Sequence, residues 1–72
     1  MKKYDFYGKC EDGTSLEINK IYKARETDPD ADDKNFRFFR AVRNGSLFSM
    51  WKVDEKGRRN GGYVLPQYLE FE

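Results

Sequence analysis

Histidine is absent from this 72-residue chain. The commonest general base and the commonest metal ligand of proteins are therefore both missing. Ser15, Ser46 and Ser49 lie in no nucleophile motif. The glycines in GRRNGG lack the spacing and the following helix of a phosphate-binding loop. The sequence predicts a protein that is not an enzyme and has no cofactor.

Cysteine occurs once, at Cys10, so no internal disulfide can form and the disulfide-stapled secreted class is excluded. Two lysines near the N-terminus are followed by no apolar run, and we expect no signal peptide. No segment approaches the roughly 20 apolar residues that span a bilayer. We therefore expect a cytoplasmic protein with no membrane contact.

The net charge of the chain is only +1, but its acidic and basic residues are unevenly distributed along the sequence. Residues 26–35 carry five acids and one lysine, whereas residues 36–62 carry seven arginines and lysines and two acids. The sequence thus predicts an acidic loop next to a basic region.

The acidic run begins like a calcium-binding loop, with Asp28, Asp30 and Asp32 at alternate positions. Asp33 occupies the sixth position, where such loops need glycine, and Phe39 occupies the twelfth, where they need glutamate. We interpret residues 28–33 as a solvated acidic loop, with calcium binding left as an alternative.

Alternation of apolar and polar residues dominates the chain, and Gly, Asn and Asp interrupt it before any helix could form. Strands are predicted at residues 4–10, 16–25 and in two arms within 36–53. After a loop at 54–62, GYV leads to a tight turn at Pro66 and a last strand at 69–71. Twelve aromatic residues supply the bulk for a small core. This predicts one all-β domain over residues 1–72, a compact barrel or a strongly curved sheet.

Two blocks of sequence resemble Src-homology-3 domains. Tyr4-Asp5-Phe6 followed by SLEINKIYKA is similar to ALYDY followed by LSFxxGDxLxV. GYVLPQYL at residues 62–69 is similar to the G-[WY]-[IV]-x-x-x-Y-[VL] ending of that fold and of bacterial Src-homology-3 domains. Short orphan proteins of bacteria and phages have a similar plan. The resemblance implies a small Src-homology-3-like barrel of five to six short antiparallel strands, and a bacterial or phage accessory protein that occupies a host protein's surface.

In the peptide-binding members of that family, aromatic residues and a proline line a groove for extended peptides. The resemblance places five residues of this chain in such a groove: Tyr4, Phe6, Trp51, Pro66 and Tyr68. Peptide binding in this groove is one alternative function.

The stretch FRFFRAVRNGSLFSMWKV at residues 36–53 carries large apolar side chains on both faces of a predicted hairpin. Asn44-Gly45 favours a two-residue type I′ turn, which pairs Arg43 with Ser46 and Val42 with Leu47. Paired residues share a face. One face then collects Phe36, Phe38, Arg40, Val42, Leu47, Ser49, Trp51 and Val53. The other collects Arg37, Phe39, Ala41, Arg43, Ser46, Phe48, Met50 and Lys52.

The first face carries the larger total volume of apolar side chains, so we expect it to line the interior. The second face would then expose an apolar patch with a basic rim, of the kind found at protein interfaces. The patch consists of Phe39, Phe48 and Met50, and the rim of Arg37, Arg43 and Lys52. We predict that it binds a protein partner or a second copy of the chain. The alternative is that the N-terminal segment or the 54–62 loop covers this face and makes it core.

Nucleic-acid binding is a further alternative, because the region 36–62 interleaves cations with aromatic rings. Small β-barrels hold phosphates with such cations while bases stack on the rings. The residues concerned are Arg37, Arg40, Arg43, Lys52, Lys56, Arg58 and Arg59, together with Phe39, Phe48 and Trp51.

Overall fold

Five antiparallel strands form one sheet in the computed structural model, which describes residues 1–72. The strands are β1 (Ile21–Glu26), β2 (Arg37–Asn44), β3 (Leu47–Val53), β4 (Arg59–Val64) and β5 (Leu69–Phe71). Their order across the sheet is β4-β3-β2-β1-β5, so the last strand returns to lie beside the first. The all-β prediction is confirmed. The tight turn predicted at Pro66 is present as a 3-10 helix over Pro66–Tyr68, and the predicted short strand follows it as β5.

The prediction of a strand at residues 4–10 is wrong, because this segment forms turns. The Asp5 carboxylate accepts hydrogen bonds from the backbone N–H groups of Tyr7 and Lys9, at 2.9 Å each. Short polar side chains that bond to nearby backbone in this way compete with strand pairing. We call residues 1–20, which precede β1, the N-terminal segment. Its only strand-like pairings are two isolated bridges, Lys2 with Phe71 and Lys9 with Ser15.

The hairpin turn between β2 and β3 lies one residue later than the sequence predicts. Asn44 pairs with Leu47, and the two turn residues are Gly45 and Ser46. Gly45 has a φ of 66°, and Ser46 is not in the positive-φ region. That pattern belongs to a type II′ turn, in which only the first central residue needs the left-handed conformation. Both ends of the turn move by one residue, so each face of the hairpin keeps the members predicted for it.

The choice of interior face is wrong, however, because the structure buries the second face. Phe39, Ala41 and Met50 are 0% exposed and Phe48 is 5% exposed. They form one core cluster with Tyr4 and Leu16 of the N-terminal segment, with Ala24 of β1 and with Leu69 and Phe71 of β5. The N-terminal segment therefore covers this face, which was the alternative left open by the sequence.

Arg40 explains why the first face stays outside. It lies in the middle of that face, where burial would strip a guanidinium of water without a carboxylate to pair with it. The charged members of the second face, such as Arg37 and Lys52, lie toward its ends, where their long side chains reach the surface. Phe38 and Leu47 of the first face are accordingly exposed, and only Val53 is buried.

Candidate interaction surface on the outer face of the sheet

The predicted patch of Phe39, Phe48 and Met50 is buried in the core, so these side chains are not available to a partner. Each packs inside the single chain, beneath the N-terminal segment and β5. The expectation of an exposed patch at these residues is therefore wrong.

The basic rim predicted around that patch is largely neutralised within the chain. Glu26, at the end of β1, pairs with Arg37 and also with Lys52, whose Nζ lies 3.7 Å from Glu26 Oε2. Asp33 of the acidic loop lies 3.8 Å from Arg37 Nε. Arg43 is exposed, and its Nε donates to the Gly45 carbonyl at 2.8 Å. Two of the three rim cations thus belong to a local ion-pair network.

The five residues of the groove implied by the resemblance are divided between the core and the surface. Tyr4 packs edge-to-face on Phe71 with ring centroids 4.8 Å apart, and Pro66 is buried. Phe6 and Tyr68 are exposed. Trp51 stacks with neighbours on the face of the sheet opposite the core.

A row of aromatic and arginine side chains crosses the outer face of β2, β3 and β4. The Trp51 and Tyr63 rings lie with centroids 5.0 Å apart at an interplanar angle of 52°. The Arg59 guanidinium carbon lies 3.6 Å from the centroid of the Trp51 ring, in a cation–π contact. We call the set Arg40, Val42, Trp51, Arg59 and Tyr63 the outer aromatic face.

A β-bulge in β4 brings Arg59 onto this face. Trp51 pairs with Tyr63 and Val53 pairs with Arg59, so four steps along β4 match two steps along β3. Trp51 and Val53 lie on one face of β3, and paired residues share a face. Arg59 and Tyr63 therefore flank Trp51 on one surface, and the bulge sets their spacing.

Arg40 is held in place at the edge of a shallow depression of about 200 Å³. Its Nη1 donates to the Asn19 carbonyl at 2.8 Å and its Nη2 donates to the Gly57 carbonyl at 3.1 Å. No carboxylate lies within 4.0 Å of the guanidinium of Arg40 or Arg59. The depression is lined by Arg40, Val42, Trp51, Val53, Gly57 and Arg59. Its positive charge is left without an acidic partner in the chain.

Titration behaviour is perturbed at two exposed turn residues. Hydrogen bonds from the Thr14 side chain and backbone hold the pKa of the Asp12 carboxyl well below its usual range. A hydrogen bond to the Glu17 carboxylate raises the pKa of Lys20. Both shifts arise within local turns. No group of three or more acidic or cysteine side chains is arranged to hold a metal ion, in the acidic loop or elsewhere.

Sequence reasoning did not place Tyr63 beside Trp51, and it assigned Trp51 to the interior. Arg40 supplies the signal that points the other way, since it shares a face with Trp51. A face with a charge at its centre makes a poor interior. That Arg59 and Tyr63 also lie on this face can be seen only once the bulge is known. Alternation along RRNGGYV does not show which of its residues pair with Trp51 and Val53 of β3.

The structure contains no helix that is long and apolar enough to cross a membrane. Comparisons with protein-family models, with curated proteins and with solved structures found no match for this chain.

Proposed function

We propose that this chain is a non-catalytic interaction module that binds a protein partner through the outer aromatic face. One observation carries the proposal. Trp51, Tyr63 and Arg59 lie in contact on the outer face of the sheet, where Arg59 is exposed, Tyr63 is 55% exposed and Trp51 is partly exposed. Trp, Tyr and Arg are the residues most enriched among the energetic centres of protein interfaces. Because these side chains are already in contact with one another, less side-chain entropy is lost on binding.

The finer fold assignment, a small Src-homology-3-like barrel, is part of this proposal. It is supported by the return of β5 to the side of β1 and by the Pro66–Tyr68 turn, which lies where the resemblance implies a Pro- and Tyr-containing turn. The bacterial or phage origin and an accessory role on a host protein rest on the resemblance, and the cytoplasmic location rests on the single cysteine, which is typical of proteins in a reducing compartment.

A capture experiment tests the proposal. A tagged chain and its Trp51→Ala/Tyr63→Ala variant are each incubated with bacterial lysate, and any captured protein is identified and its affinity measured. We expect the double variant to bind at least about 30-fold more weakly, which corresponds to the loss of one interface centre of about 2 kcal/mol. The matched control is Tyr68→Ala, which removes an exposed ring of the implied groove. If Tyr68→Ala abolishes binding and the double variant does not, the groove is the site and the proposal fails.

Self-association is a second way to use the same face. Light scattering over a range of concentrations measures it directly. A dimer that the Trp51→Ala/Tyr63→Ala variant converts to monomer would identify the partner as a second copy of the chain.

Binding of single-stranded nucleic acid is a second candidate, favoured by the stacking of Arg59 on Trp51 with no acid nearby. In this candidate a base displaces the Arg59 side chain from the Trp51 ring, and the released guanidinium contacts a phosphate. Trp51 is the only tryptophan, so quenching of its fluorescence by an oligo-dT strand reports on this face alone. Two phosphate contacts, by Arg40 and Arg59, would give a slope of log affinity against log salt of about −1.4. Unchanged fluorescence at about 50 mM salt would rule this candidate out.

A further inference from the structure

The two edges of the sheet differ in how the chain covers them. At β5 the backbone of Lys2 pairs with Phe71, with N–H to carbonyl distances of 3.1 and 2.9 Å in the two directions. At the other edge, β4 pairs only with β3, and no other backbone group is hydrogen-bonded to it. The N-terminal segment thus protects one edge and leaves the other open.

The direction of the free backbone groups on β4 follows from the pairing of β3. Phe48 faces Arg43 of β2, yet its N–H donates to the Phe6 carbonyl at 3.0 Å, on the side away from β2. In an antiparallel sheet this direction recurs at every second residue. Met50 therefore directs its N–H and carbonyl toward β4, where it pairs with Val64. Tyr63, the neighbour of Val64, directs its own N–H and carbonyl to the open edge.

The open edge lies beside unpaired positive charge. From Arg59 to Tyr63 every residue of β4 is exposed. The guanidinium groups of Arg58 and Arg59 have no carboxylate within 4.0 Å, although the Asp54 carboxylate accepts a hydrogen bond from the Arg58 backbone N–H at 2.9 Å. The Arg59 and Tyr63 side chains belong to the outer aromatic face, so a strand laid along β4 would extend that face by one strand. Side chains of the added strand that point to this face would lie beside Arg59 and Tyr63, so acidic side chains there would meet the Arg59 guanidinium.

We propose that β4 accepts an extended, acidic segment of a partner protein by β-strand addition, with main-chain hydrogen bonds to Tyr63 and acidic side chains beside Arg59. This inference rests on the proposed function, since it specifies how the partner reaches the outer aromatic face. The chain's own acidic loop does not supply the strand, because residues 28–33 contain Pro29, which cannot donate to a ladder, and form no strand. A second copy would add its own Arg58 and Arg59 to an edge that is already positive, which is unfavourable.

The probe for this proposal is a blocked eight-residue peptide of alternating glutamate and valine, titrated into ¹⁵N-labelled protein. Two N-methylated versions carry methyl groups on one or the other alternating set of amides. In an added strand, the N–H groups of only one of these two sets point toward β4 and can form hydrogen bonds with it. We expect one version to bind like the parent and the other at least about tenfold more weakly. We also expect exchange of the Tyr63 amide hydrogen to slow at least about tenfold at saturation. A peptide with lysine in place of glutamate should bind at least about tenfold more weakly.

Three results would overturn the inference. In the first, the peptide shifts the Trp51 indole resonance, but both N-methylated versions bind equally and the Tyr63 amide exchanges as before. The outer aromatic face then binds without strand addition, and the proposed function stands. In the second, the peptide does not bind at all, and the partner is not an extended acidic segment. In the third, the Tyr63 amide is already protected in a dimer without peptide, and a second copy occupies the edge.

Discussion

At the scale of single residues, the chain depends on a close contact between the Gly8 backbone and the Phe48 ring. A methyl group built on Gly8 would lie 2.6 Å from Phe48 Cδ2, well inside van der Waals contact. This contact seals Phe48 beneath the N-terminal segment and makes the hairpin face of Phe39 and Met50 an interior. The small residue at position 8 therefore helps to decide which face of the sheet remains free.

Substitution of Gly8 by Ala tests that contact against a matched glycine. Gly8 and Gly13 both have positive φ, 77° and 89°, but Gly13 has open space where a methyl group would go. Gly13→Ala should cost about 1 kcal/mol of unfolding free energy, the backbone penalty alone. Gly8→Ala should cost about 1–3 kcal/mol more, because the Phe48 ring must also move. Urea denaturation measures both. Equal losses would mean that the N-terminal segment does not pack on Phe48.

The Arg59 side chain lies over Trp51, and its removal should expose the indole. Arg59→Gln should raise the acrylamide quenching of Trp51 fluorescence and lower the unfolding free energy by about 0.5–1 kcal/mol, the size of an exposed cation–π contact. Arg43→Gln serves as the control, because Arg43 bonds to the Gly45 carbonyl in the hairpin turn. Quenching that responds equally to both substitutions would contradict the stacked geometry.

At the scale of elements, turns hold the N-terminal segment over the core. In the turn after Cys10, the Asp12 carboxylate accepts hydrogen bonds from the Thr14 N–H at 2.9 Å and the Thr14 hydroxyl at 2.6 Å, and Lys2 Nζ lies 3.4 Å away. Leu16, two residues after Thr14, is buried in the core cluster. The turn therefore connects a surface hydrogen-bond network to the packing of the segment.

Acid should weaken this turn. The pKa of Asp12 is lowered in the folded chain, chiefly by the side-chain hydrogen bond from Thr14. The stability gained is therefore complete above the ordinary pKa of 3.8 and is lost as the pH falls below it toward the folded pKa. Asp12→Asn should lower the urea midpoint at pH 7 and reduce the further drop at low pH. Asp32→Asn, at a carboxylate that accepts no hydrogen bond, should leave both unchanged. An Asp12→Asn variant with the full drop would refute this role.

Much of the arrangement of elements could be predicted from the sequence. Turn residues and alternation were enough for the β2–β3 hairpin, for the membership of its two faces and for the turn and strand after Pro66. The turn position was missed by one residue because Gly45 satisfies either of two turn types. The interior face was missed because apolar bulk was counted without the position of Arg40. The strand predicted at residues 4–10 does not form, because local hydrogen bonds to the Asp5 carboxylate compete with strand pairing.

At the scale of the whole molecule, the near-neutral charge conceals two different surfaces. Near the acidic loop, Glu26 and Asp33 pair with Arg37, and Glu26 also pairs with Lys52. On the other side of the sheet, Arg59 has no acidic partner. On that side, the β1 and β5 end carries the ion pairs Lys23–Glu72 and Arg25–Glu70, so the positive charge without an acidic partner lies at the β3 and β4 end, which is the end proposed for binding.

The core that supports this arrangement is small, with 12 of 72 residues buried. At about 0.05–0.15 kcal/mol per residue, the whole chain would have an unfolding free energy of about 4–11 kcal/mol. A carboxylate forced into the core would remove most of it, whereas one on the free face would remove little.

The most direct test of the account is therefore urea denaturation, followed by circular dichroism, of Phe48→Asp and Tyr63→Asp. We predict that Phe48→Asp is unfolded in water or has lost most of its unfolding free energy, and that Tyr63→Asp unfolds within about 1 kcal/mol of the wild type. A folded Phe48→Asp beside an unfolded Tyr63→Asp would show that the sheet buries its other face, and the binding surface proposed for Trp51, Arg59 and Tyr63 would be refuted.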